Sequence, residues 1–316
     1  MLDISESKIK QLHIWTHDNL ISDLYALDEN TECTVFCAEE KHICDDFSPH
    51  KLKNSKNISY VLGGTGIERE HYQAYTQNSR TEFWYNFFLY HACPQIDTSA
   101  LSRPANACLF ISLNNRAHFH RCCLIDTLAK YKLLKNNIIT WHNQEPRGYN
   151  WQHWRPTHKK LEDGFLIDKS QDCLPFEYDL ALFNLISESD DRDVFVTEKT
   201  WHAILAGKPF LVQGAPKFHR FLQTAGYKLF DDIIDYSFDS ELDMYKRTEM
   251  LVQELKKLEK QDYTKIWKKI KPVCDHNQML ARCHIRDQIG VPTLAYEFKY
   301  YNKLIQDAIC KLDTSE

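Results

Sequence analysis

No stretch of this sequence approaches the ~20 consecutive apolar residues that a membrane helix needs. The richest run, residues 83–90 (FWYNFFLY), is short and broken by Asn86. The opening decapeptide MLDISESKIK has no apolar core of the kind a secretory signal requires, which sets the expectation of a cytoplasmic protein. Excess positive charge is missing too. With 44 Asp and Glu against 39 Lys and Arg, the formal net charge is −5. A nucleic-acid role, which normally goes with a basic domain, is therefore not expected, and any phosphate binding must come from local basic patches. No Cys-x-x-Cys pair occurs among the 11 cysteines. Their odd number and the adjacent Cys122 and Cys123 read as reduced thiols rather than a disulfide framework. The six-residue glycine fingerprint of dinucleotide binding is also absent; Gly63-Gly64-Thr65-Gly66 follows an apolar run but reads as a plain turn sooner than as a phosphate loop.

What is present is the composition of a folded protein: 43% hydrophobic, 26% charged and 13% aromatic residues. At 316 residues the chain has room for two domains of ordinary size. Short apolar runs at 12–16, 34–36 and 58–62 read as strands of a first domain, 1–104, ending in the polar stretch 101–107 (LSRPANA). The second domain, 105–290, opens with strand 108–113 (CLFISL). A helix over 120–134 has Leu124, Ile125, Leu128 and Tyr131 on one face, and strand 138–141 (IITW) follows. Strand alternating with helix predicts a parallel sheet covered on both faces, with ligands at the C-terminal ends of its strands. Residues 142–175 are polar, aromatic and aperiodic, a candidate lid in which Trp151, Trp154 and Arg155 stack on a sugar or simply anchor the loop. A final helix, 291–316, begins at Pro292 and carries an apolar stripe.

The most informative stretch runs from 181 to 212. An apolar strand (ALFNLI) leads through a polar loop into Thr197-Glu198-Lys199 at a helix start. Gly207 then stops the helix, and Lys208-Pro209 precede strand 210–214. Thr197 is placed to cap the first turn, whose N–H groups and dipole attract an anion, and Lys199 adds a full charge. A second basic loop, Asn114 to Arg121, follows the first strand of the same domain; there Arg116 and Arg121 are candidates to fork onto phosphate oxygens or, more plainly, to pair with surface carboxylates. Both loops leave strands of one parallel sheet, so both open on one edge and could grip a diphosphate from two sides.

These residues resemble a known family. Leu113-Asn114-Asn115-Arg116 with His120-Arg121, followed by Glu188-Ser189, Val196-Thr197-Glu198-Lys199 and the stretch 206–216 (AGKPFLVQGAP), are similar to the donor-binding half of the α-1,3-fucosyltransferases and their bacterial and viral relatives. The resemblance covers roughly 108–230 and implies an α/β fold of two Rossmann-like domains facing each other, the GT-B type. It also implies an inverting glycosyltransferase that moves a sugar, L-fucose from GDP-fucose in the family, onto a glycan or glycolipid acceptor without a metal or other cofactor. Lys199 and Arg116 would hold the diphosphate, Glu198 would meet the donor sugar or ribose, and Thr197, Arg121, Glu188 and Ser189 would complete the donor site. Glu188 matches the Glu of the family's Phe-Glu-Asn block, whereas Ser187 and Ser189 stand where the family has Phe and Asn, so the donor sugar stays open. Glu68, with Glu70 and Asp18 as alternatives, is the general-base candidate because each follows a predicted strand of the first domain.

Other readings compete. Asp191-Arg192-Asp193 spells the Asp-x-Asp that holds a divalent metal and a sugar diphosphate in another glycosyltransferase fold. Cys33, Cys37, His42 and Cys44, and separately Cys274, His276, Cys283 and His284, invite zinc without the usual knuckle spacing. The lysine-rich run 256–271, with Ile266, Trp267 and Ile270, could lie on an anionic membrane or form a solvated helix face. A non-catalytic nucleotide- or carbohydrate-binding protein on the same scaffold is the alternative outside enzymology.

Overall fold

The computed structural model describes residues 10–14, 33–37, 58–62, 81–83, 89, 108–141, 146, 176–192 and 194–288. The chain divides into two compact units, Met1–Phe88 with Val291–Tyr300, and Leu89–Gly290 with Tyr301–Glu316. Among the described residues of the first unit are four strands, β1 (Lys10–Ile14), β2 (Cys33–Cys37), β3 (Ile58–Leu62) and β4 (Thr81–Phe83), paired in parallel in the order β1-β2-β3-β4.

The second unit is built on a second parallel sheet. Its strands are β5 (Cys108–Leu113), β6 (Ile138–Thr140), β7 (Ala181–Ser187) and β8 (Phe210–Gln213), in the order β6-β5-β7-β8. Every residue of β7 and β8 is buried, as expected for strands covered on both faces. Helices α1 (Phe119–Lys130), α2 (Glu198–Leu205), α3 (Phe218–Thr224), α4 (Met244–Leu258) and α5 (Tyr263–Gln288) follow in chain order. Helix α1 packs on α4, where Glu249 accepts from Lys130 at 2.5 Å and from Tyr131 at 2.9 Å, and α2 packs on α5. The fold class is thus mixed α/β with parallel four-stranded sheets.

The strand order has a direct consequence. From β5 the chain winds through α1 to β6 on one side, and from β7 it winds through α2 to β8 on the other. The winding reverses between β5 and β7, and the C-terminal ends at that reversal mark the crevice where a doubly wound sheet usually takes its ligand.

Helix ends follow backbone chemistry. Gly207 (φ 60°) and Gly226 (φ 97°) close α2 and α3 with paired hydrogen bonds, Lys208 N–H to the Ala203 carbonyl and Tyr227 N–H to that of Leu222. The same motif ends α1, four residues earlier than its apolar periodicity suggests, but with Lys132 at φ 59°. An exposed lysine there carries the left-handed steric cost that glycine avoids. Lys132→Gly is expected to raise unfolding free energy by about 1 kcal/mol, read by urea denaturation.

The basic segment splits into two helices, and Ile266, Trp267 and Ile270 are buried. Carboxylates pair with Lys256, Lys257, Lys265 and Lys271. With the apolar residues turned inward, a membrane contact of 256–271 rests on lysine charge alone. Among the described residues no helix is long and apolar enough to cross a membrane.

Candidate active site at the strand crossover

Glu188, the first residue after β7, organises the crevice. Its side chain is wholly buried, and its carboxylate accepts from the Thr197 backbone N–H at 3.2 Å, from Thr200 Oγ1 at 2.6 Å and from Thr197 Oγ1. Burial raises its pKa, against the pull of Lys199 and the two threonines. Thr197 was expected to cap α2 with its own hydroxyl, but it makes no such bond. Its hydroxyl turns to Glu188, so a carboxylate nine residues upstream fixes the helix start.

Around this anchor the structure gathers several of the sequence candidates. Lys199 Nζ donates to Ser189 Oγ (3.2 Å), Thr197 Oγ1 (3.1 Å) and Glu198 Oε1 (3.0 Å). Burial alone would push the Glu198 carboxyl up, yet the adjoining Lys199 brings it down to about 2. Glu198 therefore stays an acceptor across the physiological range. His202, one turn further along α2, is lowered to about 4 by burial and is neutral, and its Nε2 is buried without a hydrogen-bond partner.

Arg121 links the two loops. It is buried, and donates from Nη1 to the Arg116 carbonyl (3.3 Å) and from Nη2 to the Glu188 carbonyl (3.2 Å). Those contacts make it a brace between the β5 and β7 loops rather than an exposed fork. Arg116, by contrast, is exposed, and its guanidinium has no partner among the described residues. Arg116 and Lys199 thus belong to loops tied within the span of one guanidinium.

Groups that sequence reasoning missed hold this arrangement. His120 Nε2–H donates to the same Glu188 carbonyl at 2.8 Å, leaving Nδ1 facing Asp191 Oδ1 at 3.5 Å. Gln213, closing β8, accepts from Ser187 Oγ (2.6 Å) and donates to the His120 carbonyl (2.6 Å) and to Thr248 Oγ1 (3.0 Å). Arg247 reaches the carbonyls of Gly214 (3.1 Å) and Asp191 (3.3 Å). A second His–carboxylate pair, His219 with Asp239 at 2.8 Å, is architectural: His219 Nε2 accepts from the Val212 N–H, and Asp239 also accepts from the His219 and Arg220 N–H groups to cap α3.

These buried groups set a pH dependence. Burial, then Arg121, lowers His120 to about 3 from 6.5, so the unfolded chain binds a proton that the native protein does not, and stability is lost as pH falls below 6.5. His202 acts in the same direction. Asp191, pushed up to about 6 by burial and then Asp190, keeps its proton between 3.8 and 6 and offsets part of that loss. Net destabilisation on acidification is expected. His120→Gln keeps a donor for the Glu188 carbonyl and should flatten the acid limb by up to about 1.4 kcal/mol per pH unit, checked by melting curves between pH 7 and 5.

The remaining candidates separate. Glu68, Glu70, Asp18, Asp193, His42, Cys44, Trp151, Trp154 and Arg155 lie outside the described residues. Cys33 and Cys37 occupy opposite ends of β2. On α5, Cys274 is buried, Cys283 is exposed, His276 bonds the Gly226 carbonyl and His284 the Tyr227 hydroxyl. Among the described residues no group of three or more His, Cys, Asp or Glu is arranged to hold a metal ion. No family description, curated protein sequence or solved structure matches this chain.

Proposed function

We propose that this protein is an inverting glycosyltransferase that uses a nucleotide sugar, with GDP-fucose the first donor to test, and a glycan or glycolipid acceptor. The observation that carries the reading is the unbroken chain of contacts from the Arg116 loop through Arg121 to Glu188, and from Glu188 through Thr197 to Lys199. It joins the segments that carry an exposed guanidinium, an ammonium and a helix N-terminus at the winding reversal of the sheet, which supports a diphosphate site there. Departure of a nucleoside diphosphate builds negative charge on its phosphates. Fixed cations and helix N–H groups stabilise that charge as it grows, without a metal. Glu198, anionic beside Lys199, suits a hydroxyl of the ribose or the transferred sugar. A GT-B enzyme of this kind would use its first domain to present the acceptor and to provide the general base, for which Glu68 is the candidate.

The test is release of free nucleoside diphosphate from a panel of GDP-, UDP- and CDP-sugars with glycan and glycolipid acceptors. Turnover that survives EDTA supports the reading. Binding without turnover for every pair would leave a non-catalytic nucleotide-binding protein, and turnover abolished by EDTA would favour the metal-dependent alternative through Asp191 and Asp193.

A further inference from the structure

Two buried polar atoms at the edge of the crevice lack the partners that burial demands. Leu113 and Thr140 are register partners in the parallel β5–β6 pair, so Asn114 and Trp141, the next residues, end the two strands side by side. Asn114 is 1% exposed and Trp141 6%. Asn114 is held on three sides: its N–H donates to Thr140 Oγ1 at 2.8 Å, and its Nδ2 donates to the Ser112 carbonyl (3.3 Å) and to Ser112 Oγ (3.0 Å). That spends the donors and leaves Oδ1, a buried acceptor with no partner. Trp141 Nε1, a donor only, is likewise buried and unpaired. Each such group costs on the order of a hydrogen bond to leave unmade, and a fold that keeps an acceptor and a donor unmade at neighbouring positions is complementary to something that supplies the converse pair.

We propose that Asn114 and Trp141 form the nucleobase-reading edge of this domain, Oδ1 accepting from a ring or exocyclic N–H of the base and Nε1 donating to its neighbouring carbonyl or ring nitrogen. This rests on the nucleotide-sugar reading of the same crevice and adds to it the part that distinguishes one nucleotide from another. Position supports it. Strand β6 stands two strands from β7, about 10 Å across the sheet, with the Arg116 loop between them. Phosphates held at Lys199 and Arg116 leave the ribose and base to extend along this edge. The polar edge of a base relieves both orphaned groups at once.

The decisive experiment is titration calorimetry with whichever of GDP, UDP, CDP and ADP stabilises the wild-type chain most, alongside inorganic pyrophosphate as a base-free control. Trp141→Phe keeps an aromatic side chain and removes the N–H; Asn114→Leu removes the acceptor. Each should weaken the nucleoside diphosphate at least about 10-fold and leave pyrophosphate affinity within about twofold. Trp141→Phe loses buried volume together with an unpaired N–H, two effects of opposite sign, so it should fold with at most a modestly lowered melting temperature, and it alone decides should Asn114→Leu fold poorly. Unchanged nucleoside diphosphate affinity in a folded Trp141→Phe protein, or equal losses for both ligands, overturns the assignment. If the wild-type chain binds pyrophosphate but gains nothing from any base, the base-reading edge falls while the phosphate site stands. If it binds none of these ligands, the nucleotide-sugar reading falls with it.

Discussion

Glu188→Ala should cost about 3–5 kcal/mol of unfolding free energy, one of the two largest effects expected in this chain. Three donors converge on a carboxylate with no exposure. Truncation leaves the Thr197 N–H and two threonine hydroxyls buried without an acceptor, in a space too closed for bulk water to enter freely. The loss should exceed that of Glu188→Gln, which keeps the shape and one acceptor oxygen. Urea denaturation of the two variants separates hydrogen bonding from volume; equal losses would mean that the site is held by packing. Because Glu188 also offers its carbonyl to His120 and Arg121, the alanine variant retains that half of the junction, and the β5 and β7 loops should stay tied.

That double use of one residue marks the boundary of what the sequence makes legible. The parallel sheet of the second unit follows from apolar runs and from the helix stop that glycine announces at 207. The α1 stop was invisible because Lys132 adopts there a conformation usually reserved for glycine. The positions of Lys199, Thr197 and Ser189 follow from local spacing, since all sit within one loop and one helical turn. What no local pattern encodes is which partner satisfies a polar group. His120 meets a carbonyl 68 residues away, and Gln213 one 93 residues away. Arg121 illustrates the difference. As a basic residue in a loop it reads as a phosphate ligand, but as the third residue of α1, with its side chain turned into the junction, it spends two donors on backbone carbonyls. Its neighbour Arg116, in the same motif, stays outside. A buried arginine and an exposed one have the same letter, and only the topology that brings β7 beside β5 assigns them different work.

Lys199→Ala and Arg116→Ala are each expected to weaken nucleoside diphosphate binding by about 1.5–3 kcal/mol, roughly 10- to 150-fold, through loss of one charge-assisted hydrogen bond. The two should differ in what else they disturb. Lys199 touches Ser189, Thr197 and Glu198, so its removal also frees the Glu198 carboxylate from the cation that holds its pKa down. Arg116 makes only backbone contacts among the described residues, through its carbonyl, and its side chain can go without a structural consequence. Arg116→Ala should therefore leave the melting temperature unchanged and act on the ligand alone. Lys199→Ala should add a shift in the acid limb of any turnover profile toward higher pH, because Glu198 then titrates nearer its ordinary range. If both variants bind nucleoside diphosphates as wild type does, the crevice is not a diphosphate site. If charge is what matters rather than geometry, Lys199→Arg restores most of the affinity. A failure of that rescue would mean that the compact ammonium, held by Ser189, Thr197 and Glu198 at hydrogen-bonding distance, is positioned for a single phosphate oxygen that a planar guanidinium cannot reach from the same turn of α2.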